Sequence, residues 1–210
     1  AISFCGPSPL DFRHSFGEGD ENLAPLPDEK APVCAQVFKT RIDPFVQKLS
    51  FIRIFCGQIR RDDSVHASSG RKNIKLGPVL RVQADQTSPV DGAAGPGDIV
   101  AIAKMEDLHT GTSLGDREVP KIKFPTPMVS LAVTPKTRGD ETKLSGSLHK
   151  VSEEDPTFHL DRDSQTKEMV MTGMSELHLG VIRERLLREA EGNVALKVTA
   201  SVNETDAFEV

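Results

Sequence analysis

Six histidines, three cysteines and a run of basic side chains are the residues of this 210-residue chain that could do chemistry. The histidines are His14, His66, His109, His149, His159 and His178, none at ligand spacing from another histidine or from Cys5, Cys34 or Cys56. Zinc-type sites draw ligands from close pairs, so the pattern predicts no metal. Ser175-Glu176-Leu177-His178 has the residue types of a hydrolytic site, but it reads better as a helix start. Ser175 caps, Glu176 sits at the positive end of the helix dipole, and His178 lies one turn in. A phosphate-binding loop needs glycines and a Gly-Lys-[Ser/Thr] ending, because backbone amides must wrap the phosphates. The chain has no Gly-Lys, no Asn-Lys-x-Asp for guanine, and no Asp followed three residues later by Gly. No catalytic residue is assigned, and the chain alone is expected neither to bind nor to hydrolyse GTP.

Charge is the signal that remains. The net charge is −5, yet residues 39–81 carry ten basic side chains against Asp43, Asp62 and Asp63. One reading is a solvated surface; the other is a patch facing a polyanion. Composition does not separate them. On the second reading Arg60, Arg61, Arg71, Lys72 and Lys75 are the candidate RNA-binding residues, acting on the phosphate backbone. Base stacking is not expected: the strand Lys167–Gly173 contains no aromatic residue, and the chain has neither Trp nor Tyr.

The elements that would position these groups change character along the chain. Residues 1–31, with Pro7, Pro9, Pro25 and Pro27 among glycines and acidic residues, read as an extended linker without a core. Residues 32–120 read as short strands separated by turns. Val33, Ala35 and Val37 alternate with Cys34 and Gln36. Residues 49–56 are apolar on both faces, as in a covered central strand. Val79–Val82 and Ile99–Ala103 are further strands, and Ile42-Asp43-Pro44 and Gly95-Pro96-Gly97-Asp98 are turn signals. Spacing near ten residues predicts an all-β closed barrel.

Residues 121–204 predict an α+β ferredoxin-like domain of order β-α-β-β-α-β. Val129, Leu131 and Val133 form a strand face. Gly139-Asp140 opens a helix with Leu144, Leu148 and Val151 inward, ending near Asp155 because Pro156 disfavours helix before it. Phe158 and Leu160 lie in one strand, Met169 to Met171 in the next. A second helix carries Leu179, Ile182 and Leu186 inward, with Glu184–Arg188 as an i,i+4 pair and Gly192 as its C-terminal cap. Val194 to Val202 alternate through the last strand.

Bulk properties agree with a globular protein: 37% hydrophobic, 27% charged. No apolar run is long enough to span a bilayer, and the start has no basic n-region or apolar h-region. An odd cysteine count without metal spacing reads as a reduced, cytoplasmic setting. Ala1 rather than Met opens the chain, as expected for a processed product or a piece of a longer protein.

The landmarks together resemble a known family. Lys39 to Gly57, with Asp43-Pro-Phe-Val-Gln-Lys-Leu49 inside it, is similar to the opening of the second domain of elongation factor G. Gly97-Asp98-Ile99 and Thr110-Gly111-Thr112-Ser113-Leu114 resemble later segments of that domain. Phe124-Pro-Thr-Pro-Met128, Val133-Thr-Pro-Lys-Thr137, Glu153-Glu-Asp-Pro-Thr-Phe158 and Gly173-Met-Ser-Glu-Leu-His-Leu179 resemble successive landmarks of the third. Pro7-Ser-Pro-Leu-Asp11 resembles the exit from the GTPase domain. The family usually has Gly at the positions of Gln47 and Ser175 and Asp at Thr112, and Asn203-Glu204-Thr205 replaces its entry to the fourth domain, which implies a divergent paralogue. The resemblance implies a barrel resting on small-subunit ribosomal RNA and a third domain that relays nucleotide state, with Ser175, Glu176 and His178 as candidate coupling residues. It implies a monomeric chain with no cofactor of its own; GTP and Mg²⁺ belong to a GTPase domain acting in cis. The runner-up is a non-ribosomal interaction module descended from such a factor.

Overall fold

The computed structural model describes residues 27–43, 47–68, 70, 73–84, 86–135, 141–164, 167–189 and 196–200. The chain divides into two compact units after Ile122. The expectations for residues 1–26, Gly139-Asp140, Gly192, Val194 and Val202 lie outside the described residues.

Unit 1 is built on antiparallel strands. β1 (Cys34–Asp43) and β2 (Gln47–Cys56) pair along their length, from Cys34 opposite Cys56 to Asp43 opposite Gln47. Then come β3 (Ser64–His66), β4 (Asn73–Lys75), β5 (Val79–Gln83), β6 (Gln86–Pro89), β7 (Ile99–Ala103) and β8 (Ser113–Gly115). The main sheet runs β6-β5-β7-β2-β1-β8, and β3 with β4 forms a separate hairpin. β2 is covered on both faces, as its apolar run predicts. Ile52 and Ile54 join the main core with Val37, Val100 and Leu114, while Leu49 packs with Ala101 and Ala103.

Two expectations are corrected here. The predicted in-out alternation at the start of β1 fails, because Cys34, Ala35, Gln36 and Val37 are all buried. Cys34 fills a small cluster with Phe55, Cys56 and Val119, and the Gln36 amide donates to the Pro120 carbonyl at 2.9 Å. The closed barrel is also corrected: among the described residues the sheet is open, ending at β6 and β8. β6 is exposed throughout, and the hairpin side meets β8 at the isolated bridge Ala67–Leu114, where the Ser68 amide donates to the Ser113 carbonyl at 2.9 Å. β3 forms its ladder with β4, and among the described residues no further ladder carries that hairpin round to β6. Gly115 lets β8 approach β1: its φ is +108°, and a Cβ there would lie 1.7 Å from the Val33 carbonyl oxygen.

Unit 2 has β9 (Val129–Pro135), α1 (Glu141–Glu154), β10 (His159–Arg162), β11 (Met169–Gly173), α2 (Glu176–Glu189) and β12 (Leu196–Ala200). The antiparallel sheet runs β10-β11-β9-β12. Its register places Val129, Leu131 and Val133 beside Met169 and Met171 on one face. Leu144, Leu148 and Val151 of α1 and Leu179, Ile182 and Leu186 of α2 pack there, as their spacing predicts. Burying each such side chain contributes about 1.5–3 kcal/mol. Phe158 is fully buried but precedes β10 rather than lying in it. The predicted Glu184–Arg188 pair does not form among the described residues; Arg185 instead binds Glu154 and joins α2 to α1. No helix among the described residues is long and apolar enough to cross a membrane.

Candidate functional site

In unit 1 the structure brings Arg61 and Lys75 together on Asp62, with Arg60 exposed next to them in the chain; Arg71 and Lys72 lie outside the described residues. The tight turn after β2 is held by its own acidic residues. Asp63 Oδ2 accepts the Arg60 amide at 2.7 Å, and the Leu76 amide donates to the Asp63 carbonyl at 2.8 Å. Asp62, at φ +67°, places its carboxylate 3.1 Å from Lys75 Nζ and 3.5 Å from Arg61 Nε. The Arg61 and Lys75 side chains remain 73% and 70% exposed. Arg60 Nη2 donates to Gln58 Oε1 at 3.2 Å. The cluster is therefore an accessible set of three cations partly offset by Asp62.

The basic run is not one continuous face. Lys48 is buried, its Nζ donating to the Glu106 carbonyl at 3.0 Å and lying 3.4 Å from His109 Nδ1. Arg53 is half-buried, and burial pushes its guanidinium pKa down against the opposing pull of Asp98. The sequence held a signal for Lys48: it shares strand parity with Ser50, Ile52 and Ile54, which face inward.

In unit 2 the two motifs Glu153–Phe158 and Gly173–Leu179 meet. Ser175 caps α2 as predicted: its Oγ accepts the His178 amide at 3.1 Å, and its carbonyl accepts the Leu179 amide at 3.1 Å. His178 Nδ1 accepts the Met174 amide at 3.2 Å. An accepting nitrogen carries no proton, so Nε2 bears it and donates to Asp155 Oδ2 at 2.9 Å. Asp155 Oδ1 accepts from the Thr157 amide at 2.8 Å and the Thr157 hydroxyl at 2.6 Å. Burial pushes the Asp155 carboxyl up, but the Thr157 and His178 hydrogen bonds outweigh it and hold the pKa below the usual value. Gly173 gives the clearance, since a Cβ there would lie 2.6 Å from Leu179 Cδ2 and 3.0 Å from His178 Nδ1.

Ser175 and His178 thus bind one another's neighbourhood into the fold, while Glu176 is exposed. The Asp155–His178 contact spans 23 residues, and sequence reasoning missed it because neither residue signals the other. Among the described residues no three His, Cys, Asp or Glu side chains gather as a metal group. The sequence departures also find places. Gln47 has φ +70°, a left-handed conformation where glycine is free of steric cost. Thr112 Oγ1 accepts the His109 amide at 3.3 Å, closing the turn before β8.

Residues 32–117 match the family described as elongation factor G domain 2, and residues 124–198 match elongation factor G, domain III. Elongation factor G of Thermotoga neapolitana is 38% identical over 195 residues, covering 90% of this chain and 28% of that protein. A crystal structure from Thermus thermophilus has a TM-score of 0.70 at 30% identity, covering 92% of this chain and 27% of that one. The chain spans less than a third of the length of these relatives. Two such domains in succession define part of a translation elongation factor. The chain belongs to the elongation factor G family, of which it carries domains 2 and III.

Proposed function

We propose that this chain is the ribosome-binding, conformation-coupling middle of an elongation factor G-like translational GTPase, working in the cytoplasm as a monomer. The observation that carries the reading is the ordered pair of family matches, domain 2 and then domain III. On this reading residues 1–31 lead out of a GTPase domain that holds GTP and Mg²⁺. Residues 32–120 dock on small-subunit ribosomal RNA, and residues 121–204 form a ferredoxin-like coupling domain. The β-α-β-β-α-β order and the β10-β11-β9-β12 sheet support that last assignment.

RNA contact is assigned to phosphates met by Arg60, Arg61 and Lys75, with Arg71 and Lys72 from the same stretch. The exposure of Arg60, Arg61 and Lys75 supports this, and so does the weakness of the pairs Arg61 and Lys75 would give up. An exposed ion pair contributes about 0–1 kcal/mol, so a phosphate can displace Asp62. In unit 2, Ser175 and His178 fix the start of α2 and leave Glu176, Leu177 and Val181 outward. Leu177 and Val181 are 78% and 55% exposed, one turn apart, and offer an apolar strip to the GTPase domain in cis. The non-ribosomal alternative rests on the net charge of −5 and on Ser175 in place of glycine; capping of α2 gives that serine a place within the fold.

Co-sedimentation of the full-length parent with ribosomes in a non-hydrolysable GTP analogue tests this reading. Nucleotide-dependent pelleting is expected; a parent that stays in the supernatant with every nucleotide overturns it. The isolated chain is expected to show no GTP or GDP binding by calorimetry tighter than about millimolar, roughly 4 kcal/mol.

A further inference from the structure

Cys34 and Cys56 lie outside everything assigned above, and the fold sets them face to face. They are directly opposed across β1 and β2, are 1% and 4% exposed, and share a cluster with Phe55, Val119 and Ala31. Cys56 Sγ lies 3.2 Å from the Pro32 carbonyl, to which its S–H donates. The pair sits beside a register shift, Ala35 being opposite Ile54; opposed Cα atoms of a regular antiparallel ladder lie about 4.5–5.5 Å apart, inside the ~4.4–6.8 Å that a disulfide spans. The cluster also gathers both ends of unit 1. Residues 28–32 enter through the Asp28 carbonyl, which accepts the Gly57 amide at 2.8 Å, and through Glu29, which accepts from Gln58 at 3.1 Å. Val119 seals the exit.

We propose that Cys34 and Cys56 are a redox modification site: a peroxide joins them in a cross-strand disulfide, and the loss of the thiol proton frees Pro32 and loosens the entering connector. One thiolate attacks the peroxide, the O–O bond breaks, and one oxygen leaves as water. The second sulfur then displaces the oxygen of the resulting sulfenic acid, the S–O bond breaks, and a second water leaves with the remaining thiol proton. Two thiols and one hydrogen peroxide become one disulfide and two waters. The disulfide has no proton to donate, so the Pro32 carbonyl loses its partner. Burial pushes the Cys34 thiol up to about 12 and raises Cys56 as well. Thiolate is therefore scarce while the strands are closed, and the reaction is slow, faster at alkaline pH and dependent on local opening.

The test uses the full chain with Cys5→Ser, exposed to hydrogen peroxide, alkylated, and mapped without reduction. A Cys34–Cys56 linked peptide pair, reversed by dithiothreitol and formed faster as pH rises, is expected. Tryptic cleavage after Lys30 is expected to accelerate severalfold in the oxidised form. In the reduced series, Cys56→Ser keeps a donor for Pro32 and stays resistant, whereas Cys56→Ala is cut faster. Sulfinic acid on either cysteine without a cross-link overturns the site. So does an unreactive folded chain under conditions that cross-link the guanidinium-unfolded one. A linked chain cut no faster after Lys30 overturns the release of the connector.

Discussion

The basic turn of unit 1 and the Asp155–His178 cluster of unit 2 use the same kinds of side chain to opposite ends. In the turn, Asp62 stands between Arg61 and Lys75 in open solvent, and its partners remain more than two-thirds exposed. In the cluster, Asp155 holds Thr157 twice and His178 once, with His178 and Asp155 21% and 34% exposed. Water competes for the first arrangement and is largely displaced from the second. Cations in the first can exchange Asp62 for another anion, while the second is committed to joining the end of α1 to the start of α2. Charged residues mark a binding surface only where their own partners are cheap to lose.

The strongest way to break this comparison is through the core beneath the cluster. Phe158→Ala is expected to cost about 3–5 kcal/mol, and Leu148→Ala or Ile182→Ala about 2–5 kcal/mol, measured by denaturant unfolding of unit 2. A loss under about half a kcal/mol at Leu148 or Ile182, far below that range, would show the helical phase to be wrong.

Next in size is the cluster itself. Asp155→Asn and His178→Ala are each expected to cost about 1–3 kcal/mol, because each leaves a half-buried partner unsatisfied. The folded pKa of Asp155 is lowered, so its contribution is fully present above the unfolded value of about 4. It is lost as pH falls through the depressed folded value. Asp155→Asn is expected to flatten the acid limb of the stability–pH curve; an unchanged limb would remove Asp155 from the account.

A smaller effect sharpens the comparison inside unit 1. Left-handed backbone costs a non-glycine residue about 1–2 kcal/mol, against about 0.5–1 kcal/mol of added entropy cost for glycine. Gln47→Gly is therefore expected to raise stability by up to about 1 kcal/mol, seen as a higher denaturation midpoint. Smallest of all, Asp62→Asn is expected to shift stability by no more than about 0.5 kcal/mol.

Much of this was legible in the sequence. Period-3.6 patterns placed Leu144, Leu148, Val151, Leu179, Ile182 and Leu186 inward, because an amphipathic helix on a one-sided sheet has one way to bury them. Ser175 was readable as a cap for the same local reason. Local rules failed where burial came from both sides or from afar. Cys34 and Gln36 break strand alternation because separate clusters cover each face of β1, and Lys48 enters the core with its charge met by a carbonyl remote in sequence. Barrel closure was not legible, since strand count says nothing of the ladder bonds that join the first edge to the last. The family landmarks identified the chain, but only the structure showed why two of them occur together: Asp155 in one hydrogen-bonds His178 in the other.

The most direct test of the central claim is the salt dependence of small-subunit binding by the full-length parent. Reversing Arg60, Arg61 and Lys75 together to Glu is predicted to weaken binding and to flatten the plot of log K against log salt by about two to three units. Reversing Arg183 and Arg188, exposed on α2, is predicted to do much less. Affinity and slope unchanged by the triple reversal would contradict the assignment and leave the basic turn a solvated surface.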